Sequence, residues 1–347
     1  MTDKDVPPLD MDAVSAHLDR SWDLFKKHDM AGAELSVRKA LELEPDLPEA
    51  HALLGMLRAA EGENDEALEH FRRALELDPG YVTPKLHAAE LLLAGDGDPE
   101  EALEMIGDAI ETAEDEEEYL DALLLKVEAL TGLGRLEEAE ETIGELPPVQ
   151  FPEAIFHVRA GHSFLDLGFI DDAEEQFRKA LEMDPDLAEA HHSLGLVYEE
   201  RGDVKKEVEC WLKVRELDLK EPKVPWSRPV DEFETIAEQA LAELPERIRK
   251  LLENVPITVE DYPSIDLISE GNDPRALGFF SGIPYPEKSH VSGATPHLDC
   301  VYLFQRNIER ISHCQDEVAE EIRITLIHET GHFFGLSDED LEQMGLG

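Results

Sequence analysis

One small residue recurs through the first half of the chain at a nearly fixed step. Ala33, Ala67, Ala102, Ala139 and Ala173 follow one another at intervals of 34, 35, 37 and 34 residues. A unit of this length is too short to bury a hydrophobic face alone and must stack on copies of itself. Aligning "PEAHALLGMLRAAEGENDEALEHFRRALELDPG" (48–80) with "AEAHHSLGLVYEERGDVKKEVECWLKVRELDLK" (188–220) gives the plan of one unit. Both carry a Leu-Gly pair (Leu54-Gly55, Leu194-Gly195), a turn glycine (Gly62, Gly202) and then a large aromatic residue (Phe71, Trp211). Residues 152–186 repeat the plan with Gly161, Gly168, Ala173 and Phe177. Apolar residues at helical spacing on both sides of a glycine turn, closed by Pro79 or Pro185, predict a hairpin of helices A and B. Six such hairpins fit between residues 13 and 219, and in the sixth Glu207 stands where alanine is expected.

The period and signature resemble the tetratricopeptide repeat. The resemblance implies an all-α solenoid that binds a protein or peptide in a concave groove lined by the A helices. The groove-facing positions it implies are Glu49, Ala52 and Met56 in one unit, Ile155, Val158 and His162 in another, and Glu189, His192 and Leu196 in the last. The Lys/Asn clamp that some members use for C-terminal carboxylates is absent, which favours basic or apolar segments as partners. The same array would also serve as a spacer or a dimerisation element.

Charge narrows the partners further. The chain has 81 acidic and 31 basic residues among 347, a net of -50. Residues 229–347 carry 24 acidic and 8 basic side chains, so the excess is spread over the whole chain. A field of that sign repels nucleic acid and anionic lipid, and neither is an expected partner. Cys210, Cys300 and Cys314 are odd in number and form no C-x-x-C pair, which suits a reducing, cytoplasmic setting. The first 20 residues lack the pattern of a signal peptide, and no stretch has the roughly 18 apolar residues of a membrane span.

The repeat register ends in "LKEPKVPWSRPVDE" (219–232), with three prolines. The expected organisation is a tail over 1–12, the array over 13–219, a Pro-rich linker over 220–230 and a small α+β domain over 231–347. In that last region "PITVEDYP" (256–263) and "DCVYLFQ" (299–305) read as strands, with a short strand at 278–282. "FETIAEQALAELPERIRKLLENV", "NIERISH" and "DEVAEEIRITLIHETGHFFG" read as helices, and "DEDLEQMGL" as a short final one.

The third of those helices contains His328, Glu329 and His332 in the order H-E-x-x-H, followed by Gly335 and Asp338. In a chain rich in histidine and glutamate the five-residue core arises by chance with roughly 8% probability, so the added glycine and aspartate carry the weight. Residues i and i+4 share a helix face, and both imidazoles can reach one ion. Gly335 can end the helix in a left-handed conformation and turn the chain back. Asp338 then arrives as the favoured third ligand; Glu339, Asp340, His290, His297 and His313 are the alternatives. One zinc ion suits nitrogen and oxygen ligands at an open tetrahedral site, with manganese or iron also compatible. Glu329 would be general base to a metal-bound water attacking a peptide carbonyl. Tyr302, Arg306 and His297 are candidates for stabilising the resulting oxyanion.

The motif H-E-x-x-H-x-x-G-x-x-D, with "ENVPITVEDYP" and "YLFQRNI" before it, resembles the minimal zincin-like metallopeptidase domain of bacteria over about residues 244–347. The resemblance implies a zinc site and peptidase chemistry with no assigned target. The expected protein is therefore a zinc metallopeptidase whose repeats recruit a substrate. Its rival is a non-catalytic interaction scaffold that keeps a structural or vestigial metal site.

Overall fold

In the computed structural model, residues 11–94, 97–147, 151–243, 246, 255–282 and 300–337 are described. They divide into two compact units, Met1–Pro185 and Asp186–Gly347.

The first unit is a run of helix hairpins: α1 (Met11–Phe25) with α2 (Met30–Leu43), α3 (Pro48–Ala60) with α4 (Asn64–Leu77), α5 (Val82–Ala94) with α6 (Pro99–Thr112), α7 (Glu116–Gly132) with α8 (Leu136–Ile143), and α9 (Ala154–Asp166) with α10 (Ile170–Met183). The recurring alanines Ala33, Ala67, Ala102, Ala139 and Ala173 are all fully buried. The Leu-Gly signature has a packing cause. A Cβ at Gly55 or Gly161 would overlap the ring of Phe71 or Phe177, so the glycine of helix A admits the aromatic residue of helix B. Helix starts are fixed locally: Asp29, Asp98 and Asp115 accept backbone N–H groups of Gly32, Glu100 and Glu118, and Pro48 and Pro99 stand in the first turn.

The second unit begins with one more hairpin of the same design, α11 (Ala188–Glu200) and α12 (Val204–Asp218), in which Trp211 lies against Gly195. The change of packing near residue 185 and the end of the repeat pattern near residue 219 are thus separate features of the chain. Glu207, at the alanine position, is 5% exposed. Burial, and then the charge of Glu199, pushes its carboxyl above the usual carboxylate range.

The remainder is α13 (Val230–Glu243), β1 (Ile257–Glu260), α14 (Ile265–Ser269), β2 (Gly278–Ser281), β3 (Cys300–Phe304), α15 (Gln305–Ile311) and α16 (Gln315–Phe333). The strands form one sheet in the order β1-β3-β2. β1 runs parallel to β3 with Ile257 opposite Val301, and β2 runs antiparallel to it with Phe279 opposite Tyr302. Val301 and Leu303 turn to one face and join Phe233 and Ala237 of α13 and Val318, Ile322, Leu326 and Phe333 of α16 in a single core. The solenoid followed by a small α+β domain is thus the architecture expected from the sequence. The expected final helix, "DEDLEQMGL", lies outside the described residues.

The Pro-rich segment 220–230 is tied down within this unit. The indole N–H of Trp226 donates to the Glu309 carbonyl at 2.8 Å, and the Arg228 N–H donates to the Glu309 carboxylate at 2.9 Å. Gln305 bridges from the other side, donating to the Arg228 carbonyl at 2.7 Å. Asp218, at the end of α12, is 2% exposed and receives Arg310 at 2.7 Å and Arg275 at 3.4 Å, while its carbonyl accepts the Tyr262 hydroxyl at 2.9 Å.

Candidate metal centre

α16 brings the motif together. The Nε2 atoms of His328 and His332 lie 3.0 Å apart, with the two rings edge to face. The Nδ1–H of His332 donates to the Leu336 carbonyl at 3.1 Å, which fixes the tautomer and leaves Nε2 with its lone pair. That carbonyl is in place because the helix stops where the sequence says. Gly335 has φ 78, its N–H bonds the His332 carbonyl, and the Leu336 N–H reaches back to the Gly331 carbonyl. Those two bonds form a Schellman ending, and only the glycine adopts its left-handed turn at no steric cost.

The pair fits a metal ion. Two nitrogens bound at about 2.0–2.1 Å to a tetrahedral zinc would stand about 3.3 Å apart, close to the observed separation. Among the described residues no third His, Cys, Asp or Glu completes the set. Asp338, Glu339, Asp340, His290 and His297 lie outside them. His313 precedes α16 and sits about 22 Å along the helix axis from His328, at 1.5 Å per residue, so it does not reach the pair.

Glu329 is 6% exposed and turns toward β2. The strand makes room for it at Gly278, where a Cβ would come within 2.8 Å of the Glu329 Cγ and 3.0 Å of its Oε1. The two histidines and Glu329 line one cleft of about 980 Å³, walled by Phe279 and Phe280 on the strand side and Glu321 and Thr325 on the helix side. β2 is one of the two edge strands of the described sheet, the one on the side of this cleft. Neither Tyr302 nor Arg306 lines this cleft. Tyr302 alternates with the core-facing Val301 and Leu303, so it belongs to the opposite face, where it lines a separate hollow with Glu260 and Ser281. Arg306 donates to the carbonyls of Glu221 and Pro222.

Of the groove positions, Glu49, Ala52 and Met56 line a hollow of about 330 Å³ in the first unit with Leu18, Trp22 and Tyr81. Val158 is packed inside at 1% exposure, Ile155 is 44% exposed, and His162 packs edge-on against Phe177. In the second unit Glu189 pairs with Arg275, and the His192 Nε2 meets the Asp273 carboxylate at 3.0 Å. Leu196 is half-buried on the same helix. Burial alone would raise the Asp273 carboxyl, but the hydrogen bond and charge of His192 and the Arg275 N–H hold it below the usual range. Gly278, Glu321 and Thr325 were missed by sequence reasoning. The helical signal for two of them was present, since Glu321, Thr325, His328 and His332 fall at i, i+4, i+7 and i+11.

Comparisons with known proteins agree with both halves. Residues 252–347 match the zincin-like metallopeptidase family. Tetratricopeptide-repeat families match residues 18–82, 58–123, 93–160 and 161–202. The chain is a tetratricopeptide-repeat protein that carries a zincin-like metallopeptidase domain. No curated protein matches the chain. Among solved structures, it is similar to pilF of Pseudomonas aeruginosa, with 16% identity, a TM-score of 0.48, and coverage of 60% of this chain and 94% of that one. It is also similar to the type IV pilus biogenesis factor PilW, with 17% identity, a TM-score of 0.49 and the same coverages. The repeat protein YrrB, described as having an unusual peptide-binding site, covers 53% of this chain and 93% of its own at 21% identity and a TM-score of 0.37. Among the described residues no helix is long and apolar enough to cross a membrane.

Proposed function

We propose that the protein is a zinc-dependent peptidase whose repeats recruit a protein or peptide substrate. The observation that carries this is the convergence of the His328 and His332 Nε2 atoms, 3.0 Å apart, in one cleft with the buried Glu329. Asp338 is the proposed third ligand. Zinc held there supplies a Lewis acid that makes water nucleophilic near neutral pH. The Glu329 carboxylate takes the proton of the attacking water and returns it to the leaving amine. Its burial beside Gly278 holds it at the reacting centre and keeps bulk solvent away. A substrate in extended form lies along β2, whose edge supplies backbone hydrogen bonds while the cleft walls take side chains. In the first unit the hollow beside Trp22 and Met56, edged by Glu49, suits a basic or apolar segment.

Metal content tests the site first. Purified full-length protein should hold one zinc, lost in His328→Ala and His332→Ala. Absence of stoichiometric zinc from the wild type would sink the site. Glu329→Gln should retain the metal and lose cleavage of a protein substrate by about 10²–10⁴-fold. No cleavage by either form, with metal present, would favour the scaffold instead.

A further inference from the structure

We infer that the cleft selects a peptide with a cationic side chain about three residues from the bond to be cut, and that Glu321 is the group that reads it. The inference rests on the peptidase reading and names the substrate class for that site. Among the described residues the cleft lining holds the carboxylates of Asp273, Glu321 and Glu329 and no lysine or arginine. Two of the three are already engaged. Glu329 belongs to the bond-breaking chemistry, and Asp273 accepts from the Arg275 N–H at 2.7 Å and meets His192.

Glu321 has no hydrogen bond or ion pair among the described residues and is half-buried. Its neighbour Glu320, by contrast, is paired with Arg323 outside the cleft. One turn further along the same wall, the Thr325 hydroxyl is buried without a partner among the described residues, and its side chain is only 5% exposed. A free carboxylate and an unused hydroxyl, side by side in a substrate cleft, are a receptor for an ammonium or guanidinium group.

Spacing gives the subsite. Seven residues separate Glu321 from His328, about 10 Å at 1.5 Å per residue. An extended peptide advances about 3.3 Å per residue, so the cationic side chain sits about three residues from the scissile bond. The long-range field of a chain with a net charge of -50 attracts any basic peptide. At 0.15 M salt that field is screened beyond about 8 Å, whereas a contact pair inside the cleft is screened much less.

The test uses the zinc-loaded full chain in 0.15 M salt and a peptide library with Lys, Gln or Glu at each position, read by mass spectrometry. Cleavage should favour Lys over Glu at one position two to four residues from the cut, by roughly tenfold or more. Glu321→Gln should abolish that preference, Glu321→Lys should reverse it, and Glu320→Gln, with the same change of charge one residue away, should leave it intact. Cleavage without positional preference, or a preference that survives Glu321→Gln, overturns the inference while the peptidase reading stands. If the wild type cuts nothing, that reading fails and binding decides the inference. Fluorescent Lys and Glu peptides are then titrated onto Glu329→Gln protein with and without Glu321→Gln. A Lys preference lost with Glu321 sustains the cationic subsite, and no such loss overturns it.

Discussion

Residues 48–78 and 188–218 align position for position, 140 residues apart, and build the same hairpin, yet Asp78 and Asp218 at the matching end of helix B meet different surroundings. Asp78 is exposed and accepts the Gly80 N–H in a local turn. Asp218 is buried between Arg275 and Arg310. The A helices differ in the same way. Glu49 and Ala52 edge an open hollow, whereas their counterparts Glu189 and His192 are taken by Arg275 and Asp273, which belong to the turn leading into β2. One hairpin design therefore serves as a groove-forming unit in one place and as a foundation for the zincin-like domain in another. What differs is a handful of polar partners from distant sequence.

The largest expected break in the comparison is Asp218→Ala. Removing the buried carboxylate leaves Arg310 without its partner and Arg275 with Glu189 alone, and should cost about 3 kcal/mol, while Asp78→Ala should cost less than about 1 kcal/mol. Urea unfolding resolves the two, because Trp22 reports on the first unit and Trp211 and Trp226 on the second. Equal losses would deny Asp218 its special role.

A second pair of changes probes what the hairpins share. Gly55→Ala and Gly195→Ala each force a methyl group into an aromatic ring and should each cost about 1–3 kcal/mol. Each loss should appear in its own unit's fluorescence midpoint, and a neutral result at either glycine would refute the packing explanation of the Leu-Gly signature.

The smallest effect is a divergence with pH. Burial, first of all, lowers the imidazoles of His51, His70 and His157 in the first unit below their ordinary 6.5. A depressed folded value means stability present above 6.5 and lost as pH falls through the folded values. In the second unit the raised Glu207 carboxyl works the other way: its contribution is full below the ordinary 4.5 and lost as pH rises through the folded value. Taking the pH from 7 to 5.5 should therefore lower the midpoint reported by Trp22 relative to that reported by Trp211 and Trp226. Acidic repulsion is unequal in the two units, so the comparison is made at high salt, where it is screened. Midpoints that move together would contradict the assignment.

Much of this was legible beforehand because it is local. The alanine period, the glycine facing an aromatic residue, the helix stop at Gly335 and the shared face of His328 and His332 all arise within about 35 residues. Helix geometry converts such spacings directly into contacts. The cleft was less legible. Gly278 lies some fifty residues before Glu329, and its meaning, a missing Cβ that admits a carboxylate, exists only once β2 packs on α16. Tyr302 looked eligible as an oxyanion partner until the pleat of β3 turned it to the other face.

The sequence by itself determined the repeat architecture and the pair of histidines, since both follow from short-range periodicity and backbone preference. Only the tertiary structure decided which copy of the hairpin stays open and which is covered. Glu49 and Glu189 occupy the same place in the same pattern, and what separates them is whether Arg275, 86 residues beyond Glu189, folds back to meet it.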